Sequence, residues 1–314
     1  MPSGVRVPGA VRLATRGSPL ALAQARSVAA LIAEAAGGDV ATELVVVETA
    51  GDRRRDVPLH EVGGQGLFVK EVERAVLEGR ADAAVHSAKD LPASSAVLPI
   101  VAVPERADPR DVLVGRRLAE LGPGAVVATG SVRRRAQLAW LRPGLTYREL
   151  RGNMATRLSA VPAGGAVVAA MAALCRLGWE DRAAEVLSTA AMLPQVGQGA
   201  LAVCARPGDD GTAELVGRID HAPSRRALAA ERAWLAAVGG GCELPVGAYA
   251  TTGENGGLRL EAVIASLDGR VLVREHAARE AGGDPAGLGA ELAARMLDEC
   301  GGRALLGVSA SPAP

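Results

Sequence analysis

The chain has 314 residues, 49% of them hydrophobic, with 35 basic and 35 acidic side chains. That length is more than one ordinary core can use, so two or three domains are expected. Zero formal charge argues against a general nucleic-acid or membrane-surface binder, and no run of about 18 apolar residues offers a membrane span.

The chain begins MPSGVRVPGA, which lacks the apolar centre of a secretion signal. A soluble, cytoplasmic protein is expected. VRLAT (11–15) then reads as a strand. Ser18 is a good N-cap and Pro19 a good first helical residue, and helical apolar spacing runs over 20–36. ATELVVVET (41–49) is a second strand. The segment 51–66 is polar and Gly-rich, and a polar loop of that length is functional or mobile. A helix follows over 67–79, then a third strand, DAAVHS. This β-α-β-α-β alternation predicts a mainly parallel, helix-covered sheet.

PERADPRD (104–111) breaks the pattern as a crossover. A second unit of similar build follows. It has strands at DVLV, AVVAT, TYRELR and AVVAA, and helices over 132–141, after Asn153 and through Leu177. MLPQVGQGALAVCAR (192–206) reads as a return segment and another strand. From about Ala222 the character changes. A helix containing ERAWLAAV runs into GGGC, followed by strands VGAYA, LRLEAVIAS and RVLVREHA and a final helix to Cys300. Asp268-Gly269 joins the last two strands as a hairpin.

The stretch AVHSAKDLP (84–92) places His86, Ser87, Lys89 and Asp90 at a strand end, where α/β proteins bind ligands. Lys89 and Asp90 can serve as a turn cap, or as a cation for an anionic substituent and a carboxylate for protons or a developing cation. His86 alone reads as a core histidine. Residues 106–157 hold eleven Arg, no Lys and four acids. A local Arg excess in a neutral chain points to a small anionic ligand with carboxylate or phosphate groups. Arg133, Arg134 and Arg135 open a helix, where cations oppose the macrodipole and a bound anion would reverse the sign.

Four cysteines occur, none in a CxxC pair, so neither a disulfide framework nor a metal site is indicated. Cys242 follows three glycines, which favours exposure; the other three fit apolar or helical contexts. Phe68, the only Phe, can fill a core or stack on a flat ring. No GxGxxG, P-loop, GxSxG or HExxH pattern is present.

In order, LATRGSPLALAQA, ETAGD, GGQGLFVKEVERAVLEGRADAAVHSAKDLP, RADPRDVLV, TGSVRRRAQL, LRGNMATRL, RLGWEDR, MLPQVGQGALAV and ERAWLAAVGGGCELPVGAYA span nearly the whole chain. Together they resemble the porphobilinogen deaminase (hydroxymethylbilane synthase) family. The resemblance implies an α/β fold: two periplasmic-binding-protein-like (type II) α/β domains plus a smaller C-terminal α+β domain. The domains would be 1–104 with 199–221, 105–198, and 222–314. It implies a transferase that joins four porphobilinogen molecules head-to-tail into hydroxymethylbilane and releases ammonia in tetrapyrrole (haem) biosynthesis. The cofactor would be a dipyrromethane, thioether-linked to Cys242, with no metal. Asp90 would be catalytic. Lys89, Ser87, Thr129, Ser131, Arg133, Arg134, Arg151, Arg157 and Gln198 would hold the cofactor, and Arg16, Ser18, Phe68 and Arg176 the substrate. A monomer without nucleic-acid or membrane partners is implied.

The chain departs from the family at Gln65 for a usual Lys, Ala173 for Gly, Cys175 for a basic residue, VCAR (203–206) without the usual Glu-Cys, and Gly240 for a frequent Glu. These changes spare Asp90, Cys242 and the arginines. They leave two alternatives, a divergent low-activity paralogue and a non-catalytic two-lobed anion-binding protein.

Overall fold

The computed structural model describes residues 9–48, 69–93, 97–241 and 243–307. The chain divides into two compact units, residues 1–107 with 200–225, and residues 108–199 with 226–314.

In the first unit, strand β1 (Ala10–Arg16) leads into helix α1 (Pro19–Ala35). Ser18 caps that helix by accepting a hydrogen bond from the Ala21 amide at 3.2 Å, with Pro19 next in place. Strand β2 (Ala41–Val47), helix α2 (Lys70–Leu77), strand β3 (Ala83–Ser87) and strand β4 (Ile100–Ala102) follow. The expected second strand thus ends two residues early, at Val47, and the helix expected over 67–79 ends at Leu77, with residues 67 and 68 outside the described residues. The sheet order is β2-β1-β3-β10-β4, where β10 is Leu201–Ala205. β1 runs parallel to β2 and β3, and β10 runs antiparallel to β3 and β4.

Period-two alternation gives this sheet two apolar faces. Val11, Leu13, Ala83, Val85 and Val203 pack with Ala25, Val28 and Ile32 of α1. Ala14, Ala84 and Cys204 pack on the other face with Val72, Ala75 and Val76 of α2. Strands buried on both faces read as continuous apolar runs, which is why AVV and LAV segments recur in the sequence.

The second unit repeats the plan. Its strands are β5 (Asp111–Gly115), β6 (Val126–Ala128), β7 (Thr146–Arg148), β8 (Ala166–Ala170) and β9 (Glu185–Val186), in the order β7-β6-β8-β5-β9. β6 is parallel to β7 and β8, whereas β5 is antiparallel to β8 and β9. Helices α3 (Val132–Leu141), α4 (Met154–Ser159) and α5 (Met171–Cys175) follow β6, β7 and β8. The helix expected through Leu177 therefore ends at Cys175. Both sheets are mainly parallel with one reversed strand in the fourth position.

After β10 come α6 (Asp210–Gly217) and α7 (Ala222–Val238). An antiparallel meander follows, made of β11 (Val246–Thr252), β12 (Leu258–Ala265) and β13 (Leu272–Arg279), with Asp268-Gly269 at the expected hairpin. Helix α8 (Pro285–Asp298) and the short α9 (Gly302–Leu306) close the described chain. Trp234, Ile264, Leu292 and Met296 centre the core between meander and helices.

One glycine sets how closely α7 and α8 approach. A Cβ built on Gly289 would lie 2.2 Å from the Ala230 carbonyl oxygen and 2.7 Å from the Trp234 amide nitrogen. Gly289→Ala is expected to force the helices apart and cost about 3 kcal/mol, read as a lower urea midpoint with an unchanged m-value.

Candidate functional site

In the first unit the polar residues collect at the C-terminal ends of β1 and β3. Arg16 is the last residue of β1, and Ser18 caps the helix that follows. Ser87 ends β3, and Lys89 and Asp90 sit in the 3-10 turn Ala88–Asp90. The Ala88 amide donates to the Ala200 carbonyl at 3.0 Å, which fixes the turn on the sheet. Ser87, the N-cap of the turn, makes no side-chain cap bond. The Asp90 side chain is exposed at the strand end.

His86 is 6% exposed, and its Nε2 has no hydrogen-bond partner among the described residues. Burial, aided by the Arg16 charge, pushes its pKa down to about 4. The ring is neutral at physiological pH.

In the second unit the site is built around a residue that the sequence reading did not single out. Asp111 is the first residue of β5 and is 0% exposed. Because β5 runs antiparallel, its N-terminal end lies beside the C-terminal end of β8, with Asp111 opposite Ala170. Ser131 caps α3, accepting from the Arg134 amide at 3.4 Å, and the helix start then aims two arginines at Asp111. Arg133 Nη1 donates to Asp111 Oδ2 at 2.7 Å and to the Leu193 carbonyl at 2.6 Å. Arg134 donates to Asp111 Oδ1 from Nε at 3.0 Å and Nη2 at 2.7 Å, and to the Val168 carbonyl at 3.0 Å. Gln198 Nε2 donates to the same Oδ1 at 2.9 Å and to the Pro109 carbonyl at 2.7 Å.

Burial alone would raise the Asp111 pKa, but the two guanidiniums outweigh it and hold the carboxyl well below the usual range. Two cations and one anion leave the cluster one charge positive. Besides any bound anion, these helix-start cations thus have one counter-ion that the chain itself supplies. A strand-opening acid just after a Pro-Arg pair was the available signal, and it resembled the surrounding loop acids.

Thr129, at the end of β6, accepts from the Ser131 amide at 3.2 Å through its hydroxyl, while its own amide donates to the Arg148 carbonyl. Arg151 pairs with Glu149 at 2.5 Å, and Arg157 Nε donates to the Gly152 carbonyl at 2.9 Å. Arg176, just after α5, donates to the Gly199 carbonyl at 2.7 Å, and burial brings its pKa down to about 10. Thr129, Ser131, Arg133, Arg134 and Gln198 thus gather round one strand end, with Arg148 ending the neighbouring strand β7 and Arg151 just after it. Cys175 ends helix α5 with its side chain exposed, a helical context as expected, and Cys204 is buried in β10. Phe68 and Cys242 lie outside the described residues.

A second buried acid braces this region. Glu231 on α7 is 0% exposed and accepts from the Gly197 and Ala250 amides, both at 2.8 Å. It ties the turn carrying Gln198 to β11. Gly247 on β11 passes so close that a Cβ there would lie 2.7 Å from the Pro194 carbonyl oxygen and 3.1 Å from the Arg133 side chain. A small cavity is lined by Ser131, Arg133, Gln195, Leu235, Gly241 and Leu244. Arg133 Nε is buried with no partner among the described residues. A surplus positive charge, an orphaned donor and the residue preceding Cys242 together fit an anionic group linked to that cysteine.

The fold and these residues define an α/β protein with arginines gathered at its strand ends. Residues 11–214 match the family described as porphobilinogen deaminase, dipyromethane cofactor binding domain, and residues 226–298 match the porphobilinogen deaminase C-terminal domain. The chain is 48% identical over 301 residues to the porphobilinogen deaminase of Roseiflexus castenholzii, covering 94% of this chain and 97% of that one. It is 43% identical over 306 residues to that of Syntrophus aciditrophicus, again covering 94% and 97%. A TRAP periplasmic solute binding protein from Desulfovibrio salexigens is similar at a TM-score of 0.41 and 13% identity, over 67% of this chain and 72% of that one. This chain belongs to the porphobilinogen deaminase family. It is a transferase of tetrapyrrole synthesis that polymerises porphobilinogen into hydroxymethylbilane and uses a dipyrromethane cofactor.

Two predictions follow from the buried charges. Asp111→Asn keeps the shape but leaves two buried guanidiniums without their anion. It is expected to cost about 3–5 kcal/mol, measured by chemical denaturation. The second concerns pH. Below pH 6.5 the unfolded chain takes up a proton at His86 that the folded chain refuses until about pH 4. Stability should therefore fall as pH drops through that window, by about 3 kcal/mol at most. His86→Phe should remove this part of the slope. Asp111 adds nothing there, because its pKa is lowered and its contribution is lost only below the ordinary carboxylate range.

Proposed function

We propose that the residues at the two strand-end sites divide the polymerisation between them. The observation that carries this reading is the contrast between two carboxylates. Asp111 is buried and committed to arginines, whereas Asp90 is exposed beside Lys89 at the end of β3. Only Asp90 is at liberty to meet a substrate cation.

Each porphobilinogen brings two carboxylates and an aminomethyl group on a pyrrole. Arg16, Arg151, Arg157 and Arg176, with Lys89, take the carboxylates, and charged hydrogen bonds contribute roughly 1.5–3 kcal/mol each. Ser18, Ser87 and Thr129 add neutral donors. The C–N bond breaks as the pyrrole nitrogen releases its electron pair toward the methylene, and ammonia departs. Asp90 accepts from pyrrole N–H and lowers the energy of the resulting cation. A C–C bond then forms to the α-carbon of the chain's last ring, which loses its proton. The dipyrromethane supplies the first ring to be extended, and Cys242 is its point of attachment. Arg133, Arg134, Ser131 and Gln198 hold its carboxylates, with Phe68 against a ring face.

Three domains, 1–104 with 199–221, 105–198 and 222–314, would carry the catalytic acid, the arginine cluster and the cofactor cysteine. Three separate sheets support that division. Among the described residues no helix is long and apolar enough to cross a membrane. The reading takes the protein to act as a monomer in the cytoplasm on porphobilinogen, without nucleic acid.

The test combines mass and rate. The purified chain should weigh more than its sequence by one dipyrromethane, and Cys242→Ser should lack that increment. Asp90→Asn should keep the adduct and lose about 10²-fold or more in kcat. A chain with neither adduct nor turnover would sink the reading.

A further inference from the structure

Arg133 and Arg134 meet the same carboxylate in different postures. Arg134 grips Asp111 Oδ1 with two nitrogens, Nε at 3.0 Å and Nη2 at 2.7 Å. A guanidinium favours a two-pronged grip on a carboxylate. Arg133 instead meets Asp111 end-on, through Nη1 at 2.7 Å, and the same nitrogen donates to the Leu193 carbonyl at 2.6 Å. Its Nε is left buried with no partner among the described residues. A buried donor without a partner is costly, so the contact to Leu193 has to hold Arg133 out of the two-pronged grip.

The Leu193 carbonyl can do this only if it is itself fixed. Leu193 is buried outside the helices and strands, just before Pro194. Gln137 supplies what a strand partner would. Its Nε2 donates to the Leu193 carbonyl at 2.9 Å, and its Oε1 accepts from the Leu193 amide at 2.8 Å. Gln137 is 2% exposed and stands four residues after Arg133 on α3, so the two side chains leave the same helix face. A carbonyl oxygen has two lone pairs; Gln137 takes one and Arg133 the other. β11 closes in from its own side, since a Cβ on Gly247 would lie 3.1 Å from the same oxygen.

A buried turn needs its backbone groups satisfied, and a reciprocal amide does that much wherever it occurs. Sharing the oxygen with Arg133 adds a consequence. The amide fixes the oxygen, the oxygen holds Nη1, and Nε stays uncommitted in a side chain that lines the small cavity with Ser131, Gln195 and Gly241.

We propose that Gln137 is a positioning residue for Arg133, fixing the Leu193 carbonyl so that the guanidinium keeps its Nε–H for a carboxylate of the dipyrromethane. The proposal rests on the deaminase reading, in which Arg133 holds that cofactor.

The experiment compares purified enzymes by intact mass and by steady-state kinetics. Gln137→Met keeps an unbranched side chain of similar length and removes both bonds to Leu193. A share of its chains should lack the dipyrromethane increment that the wild type carries. In the loaded chains kcat should fall roughly tenfold, the equivalent of one hydrogen bond. KM for porphobilinogen should change little, because Gln137 reaches no group assigned to the incoming substrate. Gly289→Ala is the control for lost stability: it loosens the same unit between α7 and α8 and should keep full loading and wild-type kcat. Gln137→Glu keeps the shape and the acceptor but, ionised, loses the donor and draws Arg133 toward itself, so loading and kcat should drop at least as far. Full loading with wild-type kcat in Gln137→Met, or losses that Gly289→Ala reproduces, overturn the proposal. If Gln137→Met does not fold, Gln137→Glu decides on the same two readouts. A wild type with neither adduct nor turnover would overturn the deaminase reading itself, an outcome separate from any difference between the variants.

Discussion

The second unit depends on one ionised carboxylate. Asp111 joins the start of α3, the end of β8 through Arg134 and Val168, the turn at Leu193 through Arg133, and the turn at Gln198. An isolated buried acid would be protonated or expelled. Here two guanidiniums and an amide supply the donors, so ionisation is favoured despite burial. The unit can therefore hold two arginines inside a sheet end, where few proteins tolerate even one. The reversed direction of β5 makes this possible, because it brings the first residue of one strand to the last residues of its neighbours.

The first unit has the same strand plan with different chemistry at the equivalent end. Its own acid, Asp90, stands exposed outside the sheet in a short turn. The chain thus separates two requirements that conflict at a single site. Firm positioning of arginines calls for a fixed counter-ion, whereas stabilising a transient cation calls for a carboxylate with no fixed partner. Residues 106–157 contain only four acids against eleven arginines. All four are already engaged: Asp108 with Arg110, Asp111 with the arginine pair, Glu120 with the Arg117 backbone, and Glu149 with Arg151. The positive excess is not neutralised within the segment.

Much of this was legible in the sequence, for local reasons. Ser18-Pro19 announced α1 through capping chemistry, and Asp268-Gly269 announced the β12–β13 hairpin through turn chemistry. Both signals act within a few residues. β4 escaped notice because Ile100–Ala102 is three residues long and lies between Pro99 and Pro104. β10 was readable as a strand, but its insertion between β3 and β4 was not, since its partners lie about 100 residues away. The arginine cluster was visible as a charge excess, yet its geometry was hidden for the same reason. Asp111 reaches Arg133 and Gln198 through pairing of β5 with β8, and no local pattern encodes that pairing.

Long-range pairing of this kind explains why the arginines could be named before their surroundings. A guanidinium advertises anion binding in any context, but whether its anion is internal or arrives with a ligand depends on tertiary neighbours. Arg133 and Arg134 share an internal carboxylate and retain one net charge between them, so they suit a group that stays bound.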